Sequence, residues 1–155
     1  VWTSVRKFGV GRIGHGIDLV RRGLSPSEIQ ELRGVTFELC PTSNLMMGNI
    51  LQPAGPTGTL SDYPFGAMAR MGLNVTVSTD DATVFGTTLA QEWSRLAELA
   101  SVPLFHDGQI AVTYQVAQEN ARRAAFMSED RREKLGSLLL EYYAAIDRLQ
   151  RTIIP

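Results

Sequence analysis

The chain is poor in several residue types, and each shortage excludes a class of protein. It has one cysteine, Cys40, among 155 residues, which excludes an internal disulfide and favours a reducing compartment. No apolar run approaches the roughly 20 residues that a membrane-spanning helix requires, and no signal peptide is visible. The net charge of -1 gives no basis for binding a polyanion. We therefore expect a cytoplasmic protein without membrane or nucleic-acid partners.

Histidine is also scarce, since the chain has only two, His15 and His106. His15 ends the short predicted strand Gly11-Arg12-Ile13-Gly14-His15-Gly16, whose glycines leave the imidazole open to a ligand. His106 lies in Leu104-Phe105-His106-Asp107-Gly108, where a loop or helix-capping role is expected rather than metal ligation. A single histidine is more often structural than catalytic, so His15 alone identifies no site.

Two adjacent carboxylates, Asp80 and Asp81, are the most informative residues that the chain does have. They follow the β-branched run Val75-Thr76-Val77-Ser78-Thr79, which predicts a strand that ends on them. The carboxyl ends of strands carry the active sites of α/β proteins, and two neighbouring negative charges are costly without a cation. This pattern predicts half of a metal site. The alternative is a pair of loop acids, with Asp81 near the cap of a helix that begins around Thr87 or Thr88.

Three runs of the sequence, in this order and spacing, resemble the C-terminal part of the adenosine deaminase family of zinc hydrolases. They are Arg12-Ile13-Gly14-His15-Gly16, Glu38-Leu39-Cys40-Pro41-Thr42-Ser43-Asn44 and Ser78-Thr79-Asp80-Asp81. Asn120, Phe126 and the Pro64-Phe65 start of a helix give weaker support. The resemblance implies an α/β fold: the C-terminal part of a (β/α)8 TIM-type barrel, with three parallel strands, flanking helices and a helical tail.

The resemblance also implies a reaction, the hydrolytic removal of the 6-amino group of adenosine or a related adenine derivative with release of ammonia. It makes Asp80 the zinc ligand, and Asp81 an acid that contacts the purine ring. It makes His15 the histidine that orients the attacking water and stabilises developing charge. His15 and Asp81 are thus the expected catalytic residues, with one zinc ion per complete site and a purine nucleoside as the small-molecule partner. We expect a role in purine metabolism.

The resemblance covers nearly the whole chain but only about the last half of a family member. The family's remaining ligands, a His-x-His pair and a further histidine followed by a glutamate, have no counterpart here. We expect a single partial domain over residues 1–155 that is inactive without the missing N-terminal half of the barrel. Its exposed edges would favour self-association. Two alternatives remain: another zinc amidohydrolase acting on a cyclic amide or amidine, and a non-catalytic homologue kept for assembly or nucleoside binding.

Local patterns place the elements between these motifs. We predict strands over Arg12 to His15, Thr36 to Leu39 and Val75 to Ser78, and a loop over Ala82-Thr83-Val84-Phe85-Gly86. A Pro-Ser-Asn turn is expected after Cys40, a loop over the barrel mouth from Leu51 to Pro64, and a helical tail at about 110–155. Cys40 is expected to pack under the barrel. Glu38, in the middle of a buried strand, needs a partner, which is either Arg12 or His15.

Some residues depart from the family pattern near the pocket. Tyr63-Pro64 stands where members often have His-Pro, Ala82 stands where Pro commonly follows the two acids, and Met46-Met47 stands where smaller polar residues are usual. These departures leave the purine substrate open. They leave Asp80, Asp81 and His15 unchanged.

Overall fold

The computed structural model describes residues 1–21, 23–47, 63–98 and 109–153. Three strands form one sheet in the order β1-β2-β3: β1 (Arg12–Gly14), β2 (Thr36–Leu39) and β3 (Asn74–Val77). Both pairings are parallel, with Ile13 opposite Phe37 and Phe37 opposite Val75. The three predicted strands are confirmed, although β1 ends one residue earlier and β3 lies one residue earlier than predicted.

Nine helices occur within the described ranges, and most connect or flank the strands. They are α1 (Trp2–Phe8), α2 (Asp18–Arg21), α3 (Pro26–Leu32), α4 (Pro41–Met46), α5 (Phe65–Arg70), α6 (Ala82–Phe85), α7 (Leu89–Glu98), α8 (Gln109–Ala124) and α9 (Glu129–Ile153). Local sequence determines where α3 begins. Ser25 and Glu28 form a reciprocal capping box, and Pro26 occupies the first helical position. Among the described helices, none combines the length and apolar character that a membrane crossing requires.

Two local predictions were wrong. The residues after Cys40 form the helix α4 rather than a turn, because Pro41 has the backbone angle that a first helical position needs. Residues 82–85 form the short helix α6 rather than an extended loop, and Gly86 ends it in a left-handed conformation with φ of 58°. The predicted loop over the barrel mouth lies almost entirely outside the described residues.

The core lies on one face of the sheet, between β2 and the helices that cover it. Phe37 and Leu39 have no exposed surface, nor do Leu32 of α3 and Met68 of α5. A strand buried in this way is typical of a parallel sheet that helices cover. Gly16 is required beside this core because a Cβ there would lie 2.8 Å from the Phe37 ring, and its φ is 68°.

The opposite face of the sheet is polar. Arg12 of β1 forms an ion pair with Glu38 of β2, so Arg12 is the partner that the sequence required for this carboxylate. The Arg12 guanidinium also donates to the Ala124 carbonyl at 3.3 Å and lies 4.4 Å from the centroid of the Phe126 ring. These contacts join the sheet to the chain segment between α8 and α9.

The helical tail is attached to the sheet through α8. The Asn120 amide donates to the Val75 carbonyl of β3 at 3.0 Å, and the Tyr114 ring packs edge-on against Trp93 of α7 at 4.7 Å. Trp93 in turn packs against the core. The tail helix α9 leaves apolar side chains in solvent, with Leu138 and Tyr142 both 52% exposed.

Candidate metal centre

The candidate site is built by residues that directly follow β1 and β3. His15 comes one residue after β1, and Asp80 comes three residues after β3. Both have left-handed backbones, with φ of 57° and 54°, and in the described part of the chain they are the only residues other than glycine to do so. Such a conformation is uncommon, although His and Asp tolerate it better than most residue types. At both positions the side chain is therefore directed by a turn that follows the strand rather than by the pleat.

The turns bring the two predicted residues together. The Nε2 of His15 lies 3.5 Å from the Oδ2 of Asp80. The Ser43 hydroxyl donates to the same carboxylate oxygen at 2.7 Å, and the Nδ1 of His15 lies 3.4 Å from the Oδ1 of Asn44. The side chains of His15 and Asp80 are 38% and 35% exposed, so the cluster is open to a substrate. The predicted proximity of His15 and Asp80 is thus present in the structure.

Helix α4 carries the two residues that hold this pair, and a buried carboxylate fixes its first turn. Glu92 of α7 has no exposed surface, and it accepts the Thr42 backbone N–H at 2.9 Å. It also accepts a hydrogen bond from the Thr87 hydroxyl, in the segment that follows α6. Glu92 thereby connects the segment after β2 with the segment after β3, which places Ser43 and Asn44 relative to Asp80.

Cys40 belongs to this cluster, contrary to the prediction that it packs under the barrel. Its Sγ, a ring nitrogen of His15 and a carboxylate oxygen of Asp80 lie within 4.8 Å of one another. The strand ends at Leu39 and α4 begins at Pro41, so the thiol stays at the carboxyl end of the sheet. Burial, and secondarily the charge of Asp80, raise the pKa of the Cys40 thiol to about 12.

The donor atoms of this cluster fit a metal ion. An imidazole nitrogen, a carboxylate oxygen and a sulfur are the ligand types that zinc takes, and an all-oxygen set would suit magnesium or calcium instead. Three donors lie together in the described part of the chain, whereas a zinc site has four or more ligands including water. Further ligands from outside these residues are needed to complete such a site.

The other predicted residues have different surroundings. Asp81 is exposed at the N-terminal end of α6, and its side chain makes no capping hydrogen bond. The helix that was predicted around Thr87 or Thr88 begins at Leu89, and there the Thr88 hydroxyl caps the Gln91 N–H at 3.3 Å. The Asp81 side chain therefore does not cap α6. His106 lies outside the described residues.

Sequence reasoning missed four residues that hold the site: Ser43, Asn44, Tyr63 and Glu92. Ser43 and Asn44 belong to the motif that follows β2. Their place after the carboxyl end of a parallel strand, where α/β proteins bind ligands, could have identified them as site residues. Tyr63 donates its hydroxyl proton to the Asn44 Oδ1 at 3.1 Å. The signal for Glu92 was weak, because a glutamate in an amphipathic helix is normally solvated.

Comparison with known proteins adds family evidence to this geometry. The family model for adenosine deaminase matches residues 1–142. An adenosine deaminase from Enterococcus faecalis is 34% identical over 136 residues, which are 88% of this chain and 36% of that protein. One from Erwinia tasmaniensis is 31% identical over 132 residues, covering 84% of this chain and 35% of that protein. The chain therefore spans little more than a third of the length of these relatives.

Solved structures show the same fold. An adenine deaminase from Arthrobacter aurescens superposes with a TM-score of 0.73 at 24% identity, over 92% of this chain and 39% of that one. An amidohydrolase from Burkholderia ambifaria, solved with bound zinc, gives a TM-score of 0.69 at 21% identity over 97% and 37%. The three parallel strands with flanking helices thus form the part of a TIM-type barrel that the sequence predicted.

Proposed function

The chain belongs to the adenosine deaminase family, and from this premise we propose that it forms the C-terminal part of a zinc-dependent enzyme that deaminates adenosine or a related adenine derivative. The observation that carries the proposal is the contact between His15 and Asp80, 3.5 Å apart at the carboxyl ends of β1 and β3. The reaction consumes one water, breaks the bond between C6 and the amino nitrogen, and releases the 6-oxo purine and ammonia. The complete site includes barrel residues from outside this chain.

Asp80 is the proposed metal ligand. Its Oδ2 accepts the Ser43 hydroxyl proton, which fixes the rotation of the carboxylate and keeps its charge directed at the His15 ring. Zinc, when bound there, lowers the pKa of a water so that a nucleophile is available near neutral pH. Ser43 contributes by orienting the ligand, and hydrogen-bonded partners of this kind are worth about 10- to 100-fold in metal affinity or activity.

His15 is the proposed residue that orients the attacking water and takes a proton from it at Nε2. The ring is held from its far side by Asn44, so the Nε2 edge faces Asp80 and the solvent. A protonated Nε2 beside the reacting carbon stabilises the negative charge that develops on the attacking oxygen. Imidazole suits this role because its pKa lies near neutrality.

Asp81 is the proposed contact to the purine ring. It directly follows Asp80 and is exposed, so its carboxylate is accessible to a ligand that lies against the metal centre. A carboxyl group beside a ring nitrogen of adenine would orient the base and hold a proton there during the attack on C6. The purine nucleoside and the rest of the barrel are thus the proposed partners.

A chimera tests the proposal. The 136-residue segment of the Enterococcus faecalis enzyme that matches this chain is replaced by the chain itself, and zinc content is measured. Conversion of adenosine is followed by its ultraviolet absorbance change, in parallel with adenine and an N6-substituted adenine nucleotide. We expect the chimera to turn over adenosine. Asp80→Ala should lower this turnover by at least about 100-fold, because loss of a metal ligand should cost more activity than loss of a group that only hydrogen-bonds to a ligand.

The matched control is Asp130→Ala, which removes an exposed carboxylate in the first turn of α9 and should leave turnover unchanged. A folded, zinc-loaded chimera whose adenosine turnover does not exceed that of its Asp80→Ala variant would overturn the assignment. Turnover of another adenine derivative alone would overturn adenosine as substrate and support the deamination chemistry.

A further inference from the structure

Tyr63 is a buried residue that touches the site only through other groups. It is 4% exposed and precedes α5 by two residues. Burial raises its pKa well above the ordinary value, so the hydroxyl keeps its proton at neutral pH. The Cys40 backbone acts in the opposite direction and lowers this pKa, but by less than burial raises it. The hydroxyl therefore has a proton to donate.

That proton goes to Asn44. The Tyr63 hydroxyl lies 3.1 Å from the Asn44 Oδ1, and both residues are buried. The Asn44 atom that faces the hydroxyl is the carbonyl oxygen, which can only accept, so the hydroxyl donates in this contact. Tyr63 thus fixes which way the Asn44 side chain is turned.

The orientation of Asn44 selects the proton position on His15. The Asn44 Oδ1 has a second lone pair and lies 3.4 Å from the His15 Nδ1. A carbonyl oxygen only accepts, so a hydrogen bond to it requires the proton on Nδ1. In the neutral ring the Nε2 then carries a lone pair, which points toward the Asp80 Oδ2 at 3.5 Å. Two acceptors face each other there, an arrangement that a cation or a proton between them stabilises.

We propose that Tyr63 is a positioning residue for His15: through Asn44 it holds the imidazole as the Nδ1–H tautomer, with Nε2 free toward the metal centre. The consequence for turnover rests on the proposed function, whereas the tautomer itself does not. The hydroxyl is the part of Tyr63 that contacts Asn44. Its hydrogen bond, and not its ring, carries the effect.

Nitrogen-15 NMR of the full 155-residue chain tests the tautomer directly. The chain has two histidines, so the imidazole signals of His15 are assigned with a His106→Asn variant. At a pH where the ring is neutral and without metal, we expect mainly Nδ1–H in the wild type. Tyr63→Phe keeps the ring and removes only the hydroxyl. It should lower the ratio of Nδ1–H to Nε2–H by about 3- to 10-fold, the equivalent of one neutral hydrogen bond.

Two further variants separate positioning from general stability. Tyr143→Phe is the matched control, because the buried Tyr143 hydroxyl has no hydrogen-bond partner within the described residues. It should leave the His15 signals unchanged. Asn44→Leu removes the acceptor, and it should shift the tautomer as Tyr63→Phe does, with no additional shift in the double variant. A ratio that Tyr63→Phe leaves unchanged, or a wild-type ring that is mainly Nε2–H, would overturn the proposal.

Turnover of the chimera supplies an independent readout. There Tyr63→Phe should lower kcat by about 10- to 100-fold with little change in KM, because it alters the ring that acts on the attacking water rather than substrate binding. An inactive wild-type chimera whose His15 tautomer still responds to Tyr63→Phe would overturn the proposed function and support the positioning role. An active chimera in which Tyr63→Phe changes neither kcat nor the His15 tautomer would support the proposed function and overturn the positioning role.

Discussion

The carboxyl end of the sheet and the α8–α9 pair both carry many polar groups, but they hold them differently. At the sheet end, the polar partners are buried: Glu92 has no exposed surface and Asn44 is 2% exposed. In the helix pair, Glu119 joins Arg122 and Arg123 at 2.7 Å beside solvent. Buried polar groups that each have a specified partner fix geometry, whereas surface ion pairs contribute little stability. Charge density alone therefore does not mark the functional end of this molecule.

Apolar residues show the same contrast between buried and exposed positions, and they should give the largest change in the free energy of unfolding. Leu39 at the end of β2 has no exposed surface, whereas Leu140 of α9 is 70% exposed. Leu39→Ala should lower the free energy of unfolding by about 2–5 kcal/mol, because it leaves a cavity under the site. Leu140→Ala, its matched control, should change it by less than about 0.5 kcal/mol. Urea unfolding of the full chain measures both, and equal losses would contradict the comparison.

Glu92 should give the next effect, because its carboxylate alone accepts both the Thr42 N–H and the Thr87 hydroxyl. Glu92→Gln replaces one acceptor oxygen by a donor and removes the charge, so the two hydrogen bonds to the carboxylate cannot both persist. We expect a loss of about 1–3 kcal/mol in the free energy of unfolding, and faster hydrogen exchange at the Thr42 amide. The control is Glu129→Gln at the exposed start of α9. Unchanged exchange at Thr42 would show that Glu92 does not hold α4.

The smallest effect should come from acidification of the helix pair. Hydrogen bonds from Arg122, then from Arg123, lower the pKa of Glu119 from 4.5 to about 2. A carboxylate with a lowered pKa stabilises the fold above its unfolded pKa, and this contribution is lost as the pH falls from about 4.5 to 2. Because the Glu119 side chain is 37% exposed, we expect no more than about 1 kcal/mol.

The free energy of unfolding of the wild type and of Glu119→Gln, measured between about pH 6 and pH 2, isolates this contribution, because carboxylates titrate roughly in this window. The two proteins should differ in the free energy of unfolding at the upper end and converge at the lower end. A difference that grows as the pH falls would have the wrong sign and would refute the role of this ion pair.

The sequence was informative wherever a side chain's position depended on strand ends alone. His15 and Asp80 could be brought together because parallel strands end at the same edge of a sheet. Glu38 was expected to need a partner, either Arg12 or His15, and in the structure the partner is Arg12. The position of Cys40 could not be derived, because it depends on where β2 stops and α4 begins. A one-residue difference in a strand end reverses the side to which a side chain points.

Tyr63 and Glu92 were beyond sequence reasoning for a different reason. Their hydrogen bonds join segments that are far apart in the chain, since Tyr63 and Asn44 are separated by 19 positions and Thr42 and Glu92 by 50. Hydrophobic periodicity describes which face of a helix is apolar, and it carries no information on a single polar contact between two helices. Such contacts appear only once the packing of α4 against α7 and against the residues before α5 is known.

The left-handed backbones at positions 15 and 80 limit what evolution and engineering can place there. Glycine, asparagine, aspartate and histidine tolerate this conformation best, while a β-branched residue would be strained by about 1–3 kcal/mol before any chemistry is considered. Ligand swaps at this centre should therefore be drawn from that short set, with Asp80→Asn and His15→Asn as the variants that test charge without disturbing the turn. By the same reasoning, the recurrence of His and Asp at these two places in other sequences would be partly a matter of backbone shape, so residue identity there is weaker proof of catalysis than a retained Ser43 and Asn44.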